Sequence, residues 1–408
     1  MLQLTNNMNL SKGIVFSLFF VAFALFLPIS EAHADGGRYL VKSTKGFWKN
    51  TFGVRHVFDS GFTADLSDFQ IRLAKVFGVE IEAVPVFQIL PGDASSIPVP
   101  DVSDVRVKKN VSRIVPSDQT PWGVELVYND PDLVSTSGGA GVNIAILDTG
   151  VNSSHPDLKN RIAKCKDFSS ARNPIVDGKC DDKNGHGTHV AGIIAADSGA
   201  DAKGIYGIAP ESNLFVYKVC GADGSCSADD IAAALNVAVA DGANIVNMSF
   251  GSDRESLLIK NAVSFASDKG LLLIAAAGND GPFADSIDYP ASYSSVISVG
   301  ALNVLLDTPE WSSRGSNSKT IPGLVENRDM EFAAPGERIE STWINGGYAL
   351  LSGTSIATPF ISGLAAKYWL VDEENPSVAT RELMRYITID VGLEGEDDAT
   401  GFGLPQVE

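Results

Sequence analysis

From Trp122 onward the chain alternates between short, predominantly apolar runs and segments with helical patterning. The apolar runs are Val142–Leu147, Leu214–Val219, Ile245–Met248, Leu271–Ala276 and Val296–Val299. Strands buried on both faces read in this way. Between them Gly187–Ala196, Ile231–Ala240 and Ser256–Asp268 read as helices. The alternation predicts an α/β fold, a mostly parallel sheet covered by helices on both faces. It also predicts where chemistry gathers, because open α/β sheets build their sites at the C-terminal ends of the strands.

The segments ahead of this region differ in texture. Lys12 precedes an apolar run from Gly13 to Leu27, short for a membrane span. Ala32-His33-Ala34 follows as a small-residue cleavage signal, so residues 1–34 read as a secretory signal peptide, with an uncleaved anchor as the rival. Residues 35–115 read as a second unit. In it Arg38–Lys42 and Val54–Phe58 are expected strands, Leu66–Phe77 a helix and Val79–Ile89 a further strand, giving a small α+β body. Pro91, Pro98, Pro100 and Pro116 give the stretch 91–120 the composition of a linker. Residues 116–408 form the α/β body. Their net charge is −21 against −19 for the whole chain, which argues against nucleic acid and anionic membranes as partners.

Four polar motifs sit where the strands and helices meet. Asp148 ends the run Val142–Leu147; alone, it could be a turn or cap residue. His186 lies between glycines at a helix start, and His189 follows one turn later as a packed helper. The pair lacks the glutamate and spacing of a zinc motif. Asn279, after Leu272–Ala277, could donate an amide to a developing oxyanion or simply form a turn. Ser355, among small residues in Gly353-Thr354-Ser355-Ile356-Ala357-Thr358-Pro359, opens an apolar helix whose N-terminal field favours negative charge. Pro359 is expected to fall within that helix's first turn. Serine needs a base and an orienting acid to act as a nucleophile.

The motifs carry a resemblance. Asp148-Thr149-Gly150, His186–Gly192, Asn247–Gly251, Ala277-Gly278-Asn279 and Gly353–Pro359, in that order, resemble the subtilisin family of serine proteases, from about Pro121 to Leu404. The order Asp, His, Ser is the one long established for subtilisin itself. Gly353-x-Ser355-x-Ala357 narrowly misses the elbow of α/β-hydrolases, whose histidine follows the serine; no histidine follows Ser355.

The resemblance implies a secreted endopeptidase, made as a self-processing precursor, with Ser355 as nucleophile, His186 as base, Asp148 as orienting acid and Asn279 in the oxyanion hole. A catalytically silent or propeptide-inhibited binding protein of the same fold is the alternative. Ser249-Phe250-Gly251 is the expected substrate-pairing strand, residues 221–224 (Gly221, Ala222, Asp223 and Gly224) are expected to supply the opposite edge, and Ala276-Ala277-Gly278 is a pocket wall. Residues 38–90 resemble the family's inhibitory propeptide. Polypeptide substrates and the chain's own propeptide are the expected partners, and a monomer the expected state. No catalytic cofactor is implied. Structural calcium is, with Asp157, Asp197 and Asp201 as candidate ligands.

Asp288, ahead of Tyr289-Pro290, stands where the family commonly has a small residue at the far end of the specificity pocket. It is read either as a receptor for a basic side chain or as a carboxylate turned to solvent. Four cysteines in an exported chain imply two disulfides, Cys165–Cys180 and Cys220–Cys226 by proximity, although sequence permits three connectivities.

Overall fold

The computed structural model describes residues 37–89, 114–170 and 173–408. The expected signal peptide and most of the expected linker, residues 90–113, lie outside the described residues. Contacts divide the chain into two compact units, Met1–Val84 and Pro85–Glu408.

In the first unit β1 (Gly37–Val41), α1 (Gly46–Phe52), β2 (Val57–Phe58), β3 (Gly61–Leu66), α2 (Asp68–Val76) and β4 (Ile81–Ala83) follow in order. The strands form one antiparallel sheet, β2-β3-β1-β4. Val41, Trp48, Phe52, Phe62, Leu66 and Ala74 make its core.

Sequence patterning ran Leu66 into the helix. In the structure Ser67 caps α2 through a reciprocal bond pair with Gln70, so Leu66 ends the preceding strand. The buried stripe of α2 shifts accordingly: Phe69 and Phe77 are exposed, and Ala74 faces the core. The expected strand Val54–Phe58 shrinks to Val57–Phe58, and α1 and β3 went unrecognised. The short turn Asp59–Ser60 depends on Gly61, at φ +148°, where a Cβ would meet the Val41 carbonyl at 2.1 Å.

The second unit begins with β5 (Val86–Ile89) and α3 (Trp122–Tyr128). Next come β6 (Asn143–Asp148), β7 (Ile162–Asp167), β8 (Val176–Asp177), α4 (His186–Ala195), β9 (Asn213–Lys218), β10 (Ser225–Ser227) and α5 (Ala228–Asp241). Then β11 (Ile245–Met248), β12 (Phe250–Gly251), α6 (Leu257–Asp268), β13 (Leu272–Ala276), β14 (Val296–Leu302) and β15 (Phe332–Pro335) follow. The chain closes with β16 (Ile339–Thr342), β17 (Tyr348–Leu351), α7 (Thr354–Lys367), α8 (Pro376–Tyr386), β18 (Thr388–Ile389) and β19 (Leu404–Pro405).

Eight strands form the central sheet in the order β15-β14-β13-β11-β6-β9-β7-β8, and only the β7–β8 pair is antiparallel. Alternate residues of β6 face opposite ways, as the pleat requires. Ile144 and Ile146 pack with Val190 and Ile194 of α4 and with Phe360 and Leu364 of α7 in one core cluster. The α/β class expected from the apolar runs is the fold observed. Of the central sheet's strands, sequence patterning does not announce β7, β8 and β15. Ile-Ala-Lys-Cys-Lys-Asp in β7 is half-exposed, and its polar alternation masks a strand that has only β9 and the two-residue β8 as neighbours.

The expected single strand Val79–Ile89 is two strands. Ile81–Ala83 pairs with β1, whereas Val86–Ile89 is the middle strand of a separate sheet, β10-β5-β12. Val84-Pro85 divides them, since proline cannot donate to a ladder and restricts the residue before it.

Cys165 is bonded to Cys180 and Cys220 to Cys226. A buried ion cluster ties α8 to the sheet. The Glu331 carboxylate, fully buried, accepts from Arg381 Nε at 2.8 Å and from Arg385 Nη2 at 2.8 Å. Removing the anion strands two guanidiniums that are mostly buried. Glu331→Ala in an inactive Ser355→Ala chain is therefore expected to cost about 3–5 kcal/mol in urea unfolding.

Candidate active site

The C-terminal end of β6 meets the first turns of two helices. Asp148 is the last residue of β6, His186 the first of α4, and Ser355 the second of α7. His186 Nδ1 lies 2.9 and 3.0 Å from the two Asp148 oxygens, and His186 Nε2 lies 3.0 Å from Ser355 Oγ. The imidazole thus bridges carboxylate and hydroxyl, and all three side chains are buried.

Glycine permits this approach. A Cβ on Gly187 would come within 2.2 Å of the Gly150 carbonyl and 3.0 Å of Asp148 Oδ1. Pro359 is the sixth residue of α7, beyond the first turn where it was expected. The helix is packed tightly enough to keep it there, and its missing N–H is the one that would have bonded the Ser355 carbonyl.

Asp182 escaped the sequence reading and organises the loop before His186. Its carboxylate accepts from the backbone N–H groups of Asn184, Gly185 and Thr188, from Thr188 Oγ1 at 2.7 Å and from Thr149 Oγ1 at 3.0 Å. Thr149 Oγ1 in turn accepts from the Gly187 N–H at 3.0 Å, closing a path back to Asp148. Burial alone would raise the Asp182 pKa, but these donors outweigh it and hold the carboxyl below its ordinary value. The available signal was an aspartate shortly before a glycine at a helix start, the pattern of a side chain that bonds forward to backbone.

Lys218, at the end of β9, is buried and donates to the carbonyls of Thr149 and Cys220. His189 is a packed helper as expected. Its Nε2 donates to Ile339 O and Ala349 O, and burial followed by the nearby His186 pushes its pKa down to about 3, so it stays neutral.

Asn279 stands beside Ser355. Its Oδ1 accepts from the Thr354 N–H and from Thr354 Oγ1, both at 3.1 Å, which fixes the amide's orientation. Thr354 also bonds Gly278, linking α7 to the segment Ala276-Ala277-Gly278. Ser249 is held through Asn247, which donates to Ser249 Oγ at 2.9 Å and accepts from Ser362.

An extended chain already lies along the expected substrate edge. Ile89 and Gln88 of β5 oppose Phe250 and Gly251, and on the other side β5 opposes β10. The opposite edge is Gly224–Ser227, so of the expected residues 221–224 Gly224 takes part, and Gly221, Ala222 and Asp223 do not. Ile89 N donates to Gly224 O, whereas Gly221, Ala222 and Asp223 form a turn closed by Gly224 N to Gly221 O. A tight turn cannot present the extended backbone that pairing needs. The Cys220–Cys226 bridge closes this loop.

The structure does not gather the expected metal ligands. Asp197 pairs with Arg161 at 3.1 Å, Asp201 is exposed, and the three carboxylates do not converge. Asp157 instead sits against Gly204, where a Cβ would be 2.1 Å from its Oδ1. Its Oδ2 accepts from Ile205 N and Tyr348 Oη. Gln119, not singled out from sequence, donates its amide to the carbonyls of Ala202 and Gly204. One carboxylate, two loop carbonyls and a side-chain amide form an oxygen-rich set that suits a hard cation better than the three acids do.

A parallel α/β sheet that brings a carboxylate, an imidazole and a hydroxyl into line at one strand end defines a serine hydrolase. Residues 139–403 match the subtilase family model. The chain is 38% identical over 430 residues to the subtilisin of Bacillus sp. (strain TA39), covering 97% of this chain and 99% of that one. It is 37% identical over 292 residues to subtilisin Savinase of Lederbergia lenta, covering 72% and 98%. Among solved structures, sphericase superposes with a TM-score of 0.69 at 43% identity, covering 72% of this chain and 99% of sphericase. The chain belongs to the subtilase family and is a serine endopeptidase acting on polypeptides.

Because the Asp182 pKa is depressed on folding, its contribution to stability is present above the unfolded value near 3.8 and is lost as pH falls through the folded value. Asp182→Asn, in a Ser355→Ala chain, is expected to cost about 1–3 kcal/mol at neutral pH. It should also flatten the loss of stability below about pH 4, as read by urea titrations across the acid range.

Proposed function

We propose that this chain is the precursor of a secreted endopeptidase whose residues 1–34 direct export, whose residues 35–115 inhibit it, and whose residues 116–408 hydrolyse peptide bonds. The observation that carries the catalytic reading is the single imidazole bridging Asp148 and Ser355. In this reading His186 Nε2 takes the Ser355 proton as Oγ attacks the scissile carbonyl, then returns it to the leaving amine. Asp148 keeps the Nδ1–H tautomer and supports the imidazolium. The Asn279 amide and the Ser355 N–H stabilise the oxyanion. Losing one such donor lowers kcat by roughly 10²–10³, a magnitude established on subtilisin itself.

The strand Val86–Ile89 supports the inhibitory reading. It adds to the cleft edge as a substrate peptide would, by backbone pairing on both sides. Phe87 is fully buried and packs edge-on against Phe250, so the strand is anchored by a side chain as well as by its ladder. Two disulfides accord with an oxidising compartment.

Calcium, if bound, falls to the Asp157 carboxylate, the Ala202 and Gly204 carbonyls and the Gln119 side-chain oxygen after rotation of its amide. The ion would cross-link the Asp197–Ile205 loop to the segment before α3.

Ser355→Ala should give a folded precursor that neither cleaves peptides nor matures. A cut between residues 90 and 120 in that variant, with no other protease present, would refute self-processing. EDTA should lower the melting temperature and calcium restore it. Asp157→Asn should remove the calcium increment and Asp201→Asn should keep it; the reverse pattern would return the site to the acidic loop.

A further inference from the structure

Asp288 is a buried carboxylate that the hydrolytic machinery does not use. Its backbone N–H donates to the Ala277 carbonyl at 2.8 Å, which ties it to the segment ending at Asn279. The residue is 3% exposed. It lies against two glycines on facing walls: a Cβ on Gly251 would come within 2.4 Å of Asp288 Oδ2, and one on Gly278 within 3.1 Å. Gly251 is the residue that Gln88 opposes in the cleft, and Gly278 bonds Thr354, the neighbour of Ser355. The carboxylate therefore lies between the edge that takes an extended peptide and the segment that bonds the residue before the nucleophile.

Its charge is uncompensated. Among the described residues no hydrogen-bond donor or cation is paired with the Asp288 carboxylate, and the groups that act on it are themselves acids. Asp253 and Asp280 bring carboxylate oxygens within 4.8 Å of it and of each other. Burial, then Asp280 and Asp253, push Asp288 up to about 7. A carboxylate that is desolvated and faces only like charge is costly to ionise until a cation arrives. The two glycines place no side chain of their own over the carboxylate, and a lysine or arginine side chain carries its charge at the end of an apolar stem.

We propose that Asp288, backed by Asp253 and Asp280, receives the lysine or arginine side chain of the substrate residue on the acyl side of the scissile bond. The solvent-facing alternative for Asp288 does not hold, since the residue is buried. The specificity assigned here rests on peptide hydrolysis at Ser355.

The test uses the enzyme that emerges from expression of the full chain, with matched peptides carrying Arg, Lys, Met or Phe at that position. Cleavage of any of the four tests the peptidase reading, and the ratio between them tests the inference. The kcat/KM for Arg and Lys should exceed that for Met by about ten-fold or more, the lower end of what close charge pairs contribute across interfaces. Asp288→Asn, which keeps the shape, should collapse that ratio.

A second readout needs no variant. In the unsubstituted enzyme the Arg-to-Met ratio should rise as pH passes upward through about 7, because Asp288, facing only Asp253 and Asp280, ionises there. Any pH effect common to all substrates cancels in the ratio. A ratio near one, a ratio that Asp288→Asn leaves intact, or a ratio flat across neutral pH would overturn the proposal. So would a ratio that appears or vanishes with calcium, which would assign the three acids to a metal ion.

Discussion

The imidazole of His186 reaches Asp148 on one side and Ser355 on the other only because one parallel strand stops where two helices begin. Each partner is fixed by a different element, so the alignment depends on how β6, α4 and α7 pack. The core cluster shared by Ile144, Ile146, Val190, Ile194, Phe360 and Leu364 does that fixing. The hydrogen bonds of Asp182 and Thr149 then hold the backbone on either side of His186. A site carried by strand and helix ends is held by the core's own packing, which resists small displacements.

The same packing explains which small residues the site can accept. Gly187 lets α4 pass against the strand end, and Gly251 and Gly278 let backbone approach Asp288. Asp148 and Asp288 show how environment divides the roles of two buried carboxylates. Asp148 faces an imidazole and a backbone N–H, whereas Asp288 faces acids and glycines. One supports a charge that forms within the protein during the reaction. The other is arranged for a charge that arrives from outside.

The edge strand Val86–Ile89 adds a third element, since an extended chain paired on both sides satisfies two rows of backbone groups that an empty cleft would leave to water. Its pairing partners lie more than a hundred residues away in sequence, so the ladder joins segments that local patterning treats as unrelated.

By itself the sequence determined the α/β class, the five central strands and the identity of the residues at their ends. Predominantly apolar runs and polar residues just beyond them are local signals, and burial on both faces leaves a strand few alternatives. The start of α2 was misplaced because a cap, not an apolar period, decides where a helix begins. The strand Val79–Ile89 was misread because sheet membership is a matter of pairing partners, which no local window contains. Tertiary structure alone decided that Gly224–Ser227 and not the preceding turn faces the cleft, that Asp197 pairs with Arg161, and that Asp288 is buried among other acids. Each of those outcomes depends on what long-range folding brings within a few ångströms of a side chain, and charge and hydrogen bonding act over only that distance.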